Sequence, residues 1–353
     1  MDYLKDQIIT YIGNKRKILP FIERSLNQIG IKDYTFLDLF SGSGIVSRLA
    51  KVHGAKKIIA NDLEYYTNVL NRVFLRNEEG SKKEFEDIKQ DILSRPLFEG
   101  WVCENYAPKD DNDIQRGERC FYTRENALLI DSYLEGLGDV KYETANLFRA
   151  ALIYEASVHT NTSGVFKGFY KNKQGIGQFG GEGKNALQRI CGKIDPQFPV
   201  FCPNETENVI LSLDATDIAK TVNNVDITYI DPPYNQHPYG SNYFMLNAIA
   251  KNECPKEISK VSGIPKDWNR SIYNKRVEGV MQLLKDIENV DSKYVLLSYS
   301  SEAYLPIKDM VAELAKIGLI TNLQEIDYNV FRGSRNLSNR PNKLQEYLIT
   351  IRK

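Results

Sequence analysis

A strand, a glycine-containing turn, a helix and a second strand follow one another directly near the N-terminus, and this order strongly constrains the fold. Residues 35–40 (TFLDLF) form the short apolar run expected of a buried strand. The turn 41–44 (SGSG) comes next, and residues 45–53 carry apolar side chains at helical spacing. Residues 56–60 are again short and apolar. Such a unit begins a parallel sheet, so we predict an α/β fold.

The glycine turn predicts a binding site for a nucleotide-type ligand. Gly42 and Gly44 let the backbone approach a ligand closely, and the N-terminus of the following helix adds a positive end. Asp62 follows the next strand, where a carboxylate can accept both ribose hydroxyls. A dinucleotide-binding fold has much the same pattern, although Ser47 stands where its third glycine would be. A tight turn without a ligand is the other interpretation of these residues.

Both ends of the chain carry strands, so we predict that residues 1–75 and 206–353 form one α/β domain. The further elements are strands at 209–213, 226–230, 294–298 and 346–351 and a helix at 307–317. The middle of the chain, residues 76–205, has helical patterns and long polar loops without strand–helix alternation. Leu147 and Ala151, for example, lie on one face of a predicted helix. We therefore predict a mainly helical recognition domain that is inserted into the sheet domain.

A second motif, Asp231, Pro232, Pro233 and Tyr234, directly follows the predicted strand 226–230. Two prolines remove two backbone donors and stiffen the turn, so its carbonyl groups stay free to accept hydrogen bonds from a ligand. An acid before them and an aromatic ring after them complete a polar slot with a stacking wall. An extruded nucleobase with an amino group needs such acceptors and such a wall. A rigid proline turn, with Asp231 as a helix cap, is the alternative for this motif alone.

Several segments together resemble the Dam-like DNA adenine-N6 methyltransferases. These segments are YIGNKRKILPFI (11–22), LDLFSGSG (37–44), AND (60–62) and YIDPPY (229–234). Their order along the chain is similar to the alpha arrangement of the amino-methyltransferases. FYTRENALLID (121–131) and NTSGVFKGF (161–169) resemble the branch that includes FokI-type modification enzymes. The resemblance implies a Rossmann-like sheet that binds S-adenosylmethionine (SAM), with double-stranded DNA and a cognate restriction endonuclease as partners.

The same resemblance implies cofactor-binding roles for individual residues. The implied cofactor set is Tyr11, Gly13, Lys15, Asp38, Phe40, Gly42, Gly44, Asp62, Leu63, Asp214, Ala215 and Asp231. Gly13 and Lys15 would lie near the SAM carboxylate. Asp38 would hold the SAM amino group, Asp62 the ribose and Asp214 the adenine.

The implied catalytic residues are Asp231, Pro232, Pro233 and Tyr234. The Asp231 carboxylate and the Pro232 carbonyl would accept hydrogen bonds from the target amino group, and the Tyr234 ring would stack on the base. These acceptors would stabilise the positive charge that grows on nitrogen as the methyl group arrives. No covalent intermediate is needed. Cytosine-C5 methyltransferases attack through a Pro-Cys motif, and the sequence contains no Pro-Cys pair.

Other functions remain open at this point. A cytosine-N4 methyltransferase uses the same slot, although its motif more often begins with Ser, and RNA or protein amino-methyltransferases more often have Asn there. A nicotinamide-dependent oxidoreductase would explain Gly42, Gly44 and Asp62 but would leave the motif 231–234 unexplained. A non-catalytic DNA-binding module would need no cofactor pocket, so SAM binding would discriminate against it.

Two basic stretches are the candidate DNA contacts, because Lys+Arg and Asp+Glu both total 46 and the chain as a whole has no excess positive charge. The stretch 163–184 has no acid before Glu182, and the stretch 331–343 has none. The candidate contact residues are Lys167, Phe169, Lys171 and Lys173 in the first stretch and Arg332, Arg335 and Arg340 in the second. The aromatic rings of Phe166, Phe169 and Tyr170 are expected to stack or wedge near the extruded base. Solvated surface loops are the alternative for both stretches.

The remaining expectations concern metals and location. The five cysteines include no C-x-x-C pair and the three histidines show no ligand spacing, so we expect neither a disulfide framework nor a metal site. No apolar run approaches the length of a membrane span, and the N-terminus lacks a signal-peptide pattern. We therefore expect a cytoplasmic protein without a membrane partner.

Overall fold

Seven strands form a single sheet at the centre of the computed structural model, which describes residues 2–9, 12–233, 236–329 and 343–353. The strands are β1 (Thr35–Asp38), β2 (Lys57–Asn61), β3 (Glu207–Leu211), β4 (Val225–Ile230), β5 (Ser292–Ser300), β6 (Leu319–Asn329) and β7 (Lys343–Arg352). Their order is β3-β2-β1-β4-β5-β7-β6. The first five strands in this order are parallel, whereas β7 runs antiparallel to both β5 and β6. The predicted α/β class is confirmed.

Helices cover both faces of this sheet. The helices of the two ends of the chain are α1 (Leu19–Ile29), α2 (Ile45–Val52), α3 (Tyr65–Phe74), α9 (Ala215–Thr221), α10 (Tyr239–Asn242), α11 (Phe244–Lys251), α12 (Arg276–Asn289) and α13 (Ile307–Ile317). Successive residues of a strand point to opposite faces. Accordingly, Phe36 packs in an apolar cluster with α1 and α2, whereas Leu37 packs in another with α9, α12 and α13. Among the described residues, no helix has the length and apolar composition required to cross a bilayer.

The named elements of the region 76–205 are helices, which long loops connect. Its helices are α4 (Lys82–Ser94), α5 (Trp101–Tyr106), α6 (Arg124–Gly136), α7 (Tyr142–Val158) and α8 (Leu187–Ile190). Helices α4 to α7 share one apolar cluster with α3 and α11 of the flanking segments. Within it, Phe85 stacks on Phe148 with ring centroids 3.8 Å apart, and Leu147 and Ala151 are buried as the helical pattern predicts. The insert therefore shares its core with two helices of the sheet domain.

Candidate active site

A cleft opens where the carboxyl ends of β1, β2 and β4 meet. The chain runs from β1 outward to β2 and β3 and then returns to β4 on the other side of β1, so the order of the strands reverses at β1 and leaves a crevice at this edge of the sheet. Open parallel sheets bind their ligands at such a switch point. The cleft is open to solvent, and the space between its walls, counted out to that opening, is about 870 Å³.

The glycine turn forms one wall of the cleft and requires the conformations that glycine adopts readily. Gly42 and Gly44 have φ angles of 50° and 75°. The Gly42 N–H donates to Asp62 Oδ2 at 2.8 Å, which joins the turn to the end of β2. A Cβ atom on Gly44 would lie 2.4 Å from Asn71 Oδ1 on α3. Gly44 thus allows the turn to pack closely against α3, and it does not itself line the cleft.

Gly44→Ala is expected to destabilise the protein by about 2–4 kcal/mol, because the left-handed conformation costs about 1 kcal/mol and the overlap with Asn71 adds about 1–3 kcal/mol. Gly54→Ala is the matched control. Gly54 has a φ of 92° but a Cβ there would meet no atom within 4 Å. Chemical denaturation of both variants measures the difference. Equal losses of stability in the two variants would contradict a steric role for Asn71.

Asp38 ends β1 and presents a carboxylate to the cleft. Its side chain is buried, and Ser47 Oγ donates to Oδ2 at 2.7 Å. The other oxygen, Oδ1, has no hydrogen-bond partner among the described residues. Burial raises the pKa of Asp38 to about 7, although the Ser47 hydrogen bond acts in the opposite direction. A buried acid with an unused oxygen favours a ligand that carries a positive charge or donates a hydrogen bond.

Two more carboxylates, those of the half-buried Asp62 and the buried Glu64, lie along the cleft just after β2. Asp62 accepts hydrogen bonds from the backbone N–H groups of Gly42 and Glu64, yet burial raises its pKa to about 6. Glu64 accepts from the side-chain amides of Asn247 and Asn269, and burial raises its pKa to about 7. With Asp38, these groups make the cleft favourable for a cation.

The proline turn after β4 lies on the same cleft and carries an ion pair. Lys15 Nζ lies 3.1 Å from Asp231 Oδ1 and 3.6 Å from Glu346 Oε2. Burial raises the pKa of Asp231 to about 6. The neighbouring Lys15 ammonium lowers it and the Glu346 carboxylate raises it. Burial also acts against the charged form of Lys15, but the two carboxylates outweigh it and raise the pKa of the ammonium.

Most of the residues expected from the sequence line this one cleft. Those that line it are Gly13, Lys15, Asp38, Phe40, Gly42, Asp62, Leu63, Asp214, Ala215, Asp231 and Pro233. Pro232 is buried and instead borders a smaller cavity with Leu283 and Tyr304. Tyr11 and Tyr234 lie outside the described residues.

The cleft also contains residues that the sequence did not reveal. Glu64, Asn269, Ser271 and Tyr273 line it, and Tyr273 meets Phe40 edge-on with ring centroids 5.0 Å apart. Asn269 and its neighbours lie far from the glycine turn in the sequence. No local pattern marks them, so only the tertiary structure identifies them.

The basic stretch 163–184 adjoins the sheet domain near the cleft. The Phe166 N–H donates to the Asn242 carbonyl at 2.7 Å, next to the cleft residues of α10. Lys167 and Lys173 are exposed, and Lys171 Nζ lies 4.9 Å from the centre of the half-buried Phe169 ring. The Phe166 ring is only 2% exposed and packs in the insert core, so its expected stacking role is wrong. Arg332, Arg335 and Arg340 lie outside the described residues.

Comparisons with known proteins agree with this geometry. Residues 11–312 match the family described as D12 class N6 adenine-specific DNA methyltransferase. The chain is 32% identical to the type II methyltransferase M.CviAII of Paramecium bursaria Chlorella virus 1, over 97% of this chain and 98% of that protein. It is 29% identical to M.NlaIII of Neisseria lactamica, over 98% and 99% of the two chains. M.FokI of Planomicrobium okeanokoites is 27% identical over 97% of this chain and 52% of its own length.

Proposed function

Since the chain belongs to the D12 class of N6 adenine-specific DNA methyltransferases, we propose that its cleft binds SAM and the amino group of an extruded adenine side by side. The observation that carries this proposal is that Asp38 and Asp231 line one cleft from adjacent strands β1 and β4. Asp38 is thus placed to bind SAM, the methyl donor, and Asp231 to bind the adenine amino group, the methyl acceptor.

The test of this function is product analysis. The purified protein is incubated with tritiated SAM and unmethylated genomic DNA, and the DNA is digested to nucleosides. We expect the label in N6-methyladenine. Label in N4-methylcytosine, or none in DNA, would contradict the proposed reaction.

The residues of the cleft fit SAM, because the unused Oδ1 of buried Asp38 matches an ammonium group. Asp62 retains lone pairs for ribose hydroxyls in addition to its two backbone bonds. Asp214 caps α9 through one oxygen and keeps the other for the adenine amino group. When bound, SAM supplies an electrophilic methyl group.

The chain's own contribution to the reaction is to hold and polarise the target amino group. An adenine amino nitrogen is a poor nucleophile, because its lone pair is delocalised into the ring. The Asp231 carboxylate and the Pro232 carbonyl accept hydrogen bonds from its two N–H groups and stabilise the positive charge that develops on nitrogen. Pro232 and Pro233 hold these acceptors in a rigid turn, so their alignment is set before the base arrives. Tyr234 is proposed, from the sequence motif, to stack on the base.

The base must leave the duplex to reach this turn, which costs a few kcal/mol of unstacking. We assign residues 1–75 and 206–353 to catalysis and 76–205 to target recognition. The attachment of the basic stretch 163–184 to Asn242 supports this assignment, because it holds an exposed cationic loop beside the cleft. Arg332, Arg335 and Arg340 are a second set of phosphate contacts, proposed from the sequence.

Replacing Lys167, Lys171 and Lys173 with alanine is expected to weaken DNA binding and to lower its salt slope by about 0.9 for each phosphate that the loop no longer neutralises. The control replaces Lys285, Lys308 and Lys316, which are exposed cations on α12 and α13. Fluorescence anisotropy of a labelled duplex between about 50 and 200 mM salt measures the slope. A slope equal to that of the control would remove the loop from the DNA interface.

We also propose that the protein is the modification enzyme of a restriction–modification system. The names of its relatives support this role, since they are type II methyltransferases and modification methylases. A cognate endonuclease would then cleave the same sequence when it is unmethylated. The DNA substrate is consistent with a cytoplasmic location.

A further inference from the structure

One buried ammonium group is shared by two carboxylates of low exposure at the catalytic turn. Lys15 comes from the 3-10 helix Lys15–Ile18, Asp231 from the end of β4 and Glu346 from β7. The exposed fractions of the three side chains are 6%, 17% and 9%. Of these two carboxylates, only Asp231 has a role in the proposed methyl transfer, so the presence of Glu346 requires a separate explanation.

A purely structural ion pair would be complete with Lys15 and Asp231. A second carboxylate in the same place adds a desolvation cost and brings another negative charge close to the first. A second carboxylate beside Lys15 has a function when Asp231 must accept a hydrogen bond from the target amino group. A buried ammonium whose partner is engaged elsewhere needs another carboxylate to remain paired.

We propose that Glu346 is a positioning residue, which retains the Lys15 ammonium while Asp231 accepts the hydrogen bond from the target amino group. This inference rests on the proposed methyl transfer. Glu346 does not touch the base itself. Glu346 acts through Lys15. Because the Lys15 ammonium stays close to Asp231, the Asp231 carboxylate remains ionised. Because the ammonium is also paired with Glu346, the Asp231 carboxylate is available to accept a hydrogen bond from the target amino group.

The surroundings of Asp231 give this role a measurable consequence. Among the described residues, the charged or titratable groups that act on it are Lys15, Glu346, the Tyr229 hydroxyl from β4 and Asp38 from β1. Glu346 raises the pKa of Asp231, whereas Lys15 lowers it. Removing the Glu346 charge takes one of the two described carboxylates away from Lys15 and strengthens the pairing of Lys15 with Asp231. The pKa of Asp231 then falls while its carboxylate becomes a poorer acceptor for the base.

The test is Glu346→Gln in single-turnover methyl transfer from tritiated SAM to unmethylated genomic DNA across the pH range. We expect the rate on the plateau to fall roughly 10–100-fold. We expect the acidic limb of the profile to move to lower pH by about one unit. SAM affinity should change by less than about twofold, because the change leaves the cofactor contacts in place. Glu346→Asp, which restores the charge, should return the limb and most of the rate.

Glu325→Gln is the matched control, because it removes the same charge from an exposed position on the neighbouring strand β6. This control should behave as the wild type. An unchanged rate and limb in Glu346→Gln would overturn the inference. So would a combined fall in rate, SAM affinity and thermal stability, which indicates a structural role. A wild-type protein that methylates no DNA would instead refute the proposed function itself.

Discussion

Asp231→Ala is expected to lower the rate of methyl transfer about a thousandfold while SAM affinity changes only a few fold. The carboxylate is the charged acceptor at the proline turn, and its removal takes away the group that stabilises the positive charge on the target nitrogen. Lys15 keeps a partner in Glu346 at 3.6 Å, so the variant is not left with an isolated buried ammonium. The effect should therefore be confined to the chemical step. Single-turnover transfer and calorimetric titration with SAM measure the two effects separately.

The matched control for this change is Asp226→Asn. Asp226 lies on the same strand, near its other end, where it pairs with Lys293 at 2.7 Å and accepts from the Thr35 N–H. We expect transfer at the wild-type rate in this variant. Substantial transfer by Asp231→Ala would refute the assigned mechanism, and a parallel loss of SAM binding would place Asp231 with the cofactor instead of the base.

The parts of the site that were predictable from the sequence are those in which the functional residues lie within one short segment of regular structure and its turn. A glycine turn between a strand and a helix, and an acid with two prolines after another strand, are each encoded within a few residues. Parallel strands bring their carboxyl ends to one edge, so two such motifs are expected to meet. The structure brings Asp38, Gly42 and Asp231 into one cleft, as that reasoning requires.

The residues that sequence reasoning missed are those brought to the site by long-range packing. Glu346 reaches Lys15 only because β7 is inserted antiparallel between β5 and β6. Glu64 and Asn269 meet across 205 positions of the chain. Strand β6 was itself not predicted. Its sequence, LITNLQEIDYN, places polar residues among apolar ones, as an edge strand with one exposed side does.

The predicted strand 209–213 shows a smaller error of the same kind. The strand that forms is Glu207–Leu211, and Leu213 instead bonds to the Asn61 side chain through its backbone N–H and carbonyl. This pair of hydrogen bonds ends the pairing and turns the chain toward Asp214 on the cleft. The apolar run 209–213 could not indicate that the Asn61 side chain of β2 would take the place of backbone pairing between strands at Leu213.

Asp38→Asn is expected to weaken SAM binding about a hundredfold or more and, at pH 8, to raise the thermal stability of the ligand-free protein. The pKa of Asp38 in the folded protein is about 7, above the ordinary value of 3.8. A carboxyl group whose pKa is raised by folding destabilises the folded state once it ionises. The resulting loss of folding stability is absent below about pH 4, grows between about pH 4 and pH 7, and is fully present above about pH 7. Asparagine has the same shape without the charge.

The midpoint of thermal unfolding is therefore expected to rise in Asp38→Asn by about 5 °C at pH 8, and the difference from wild type should shrink as the pH falls toward 5. Saturating SAM should reverse the order of the two proteins, because an ammonium partner makes the charge of Asp38 favourable. Binding at pH 6.5 should also release fewer protons in the variant, measured by calorimetry in buffers of different ionisation enthalpy. Asp62 and Glu64 account for the release that remains, since their pKa values are also raised. If the variant binds SAM as tightly as wild type, Asp38 Oδ1 does not bind the SAM ammonium group.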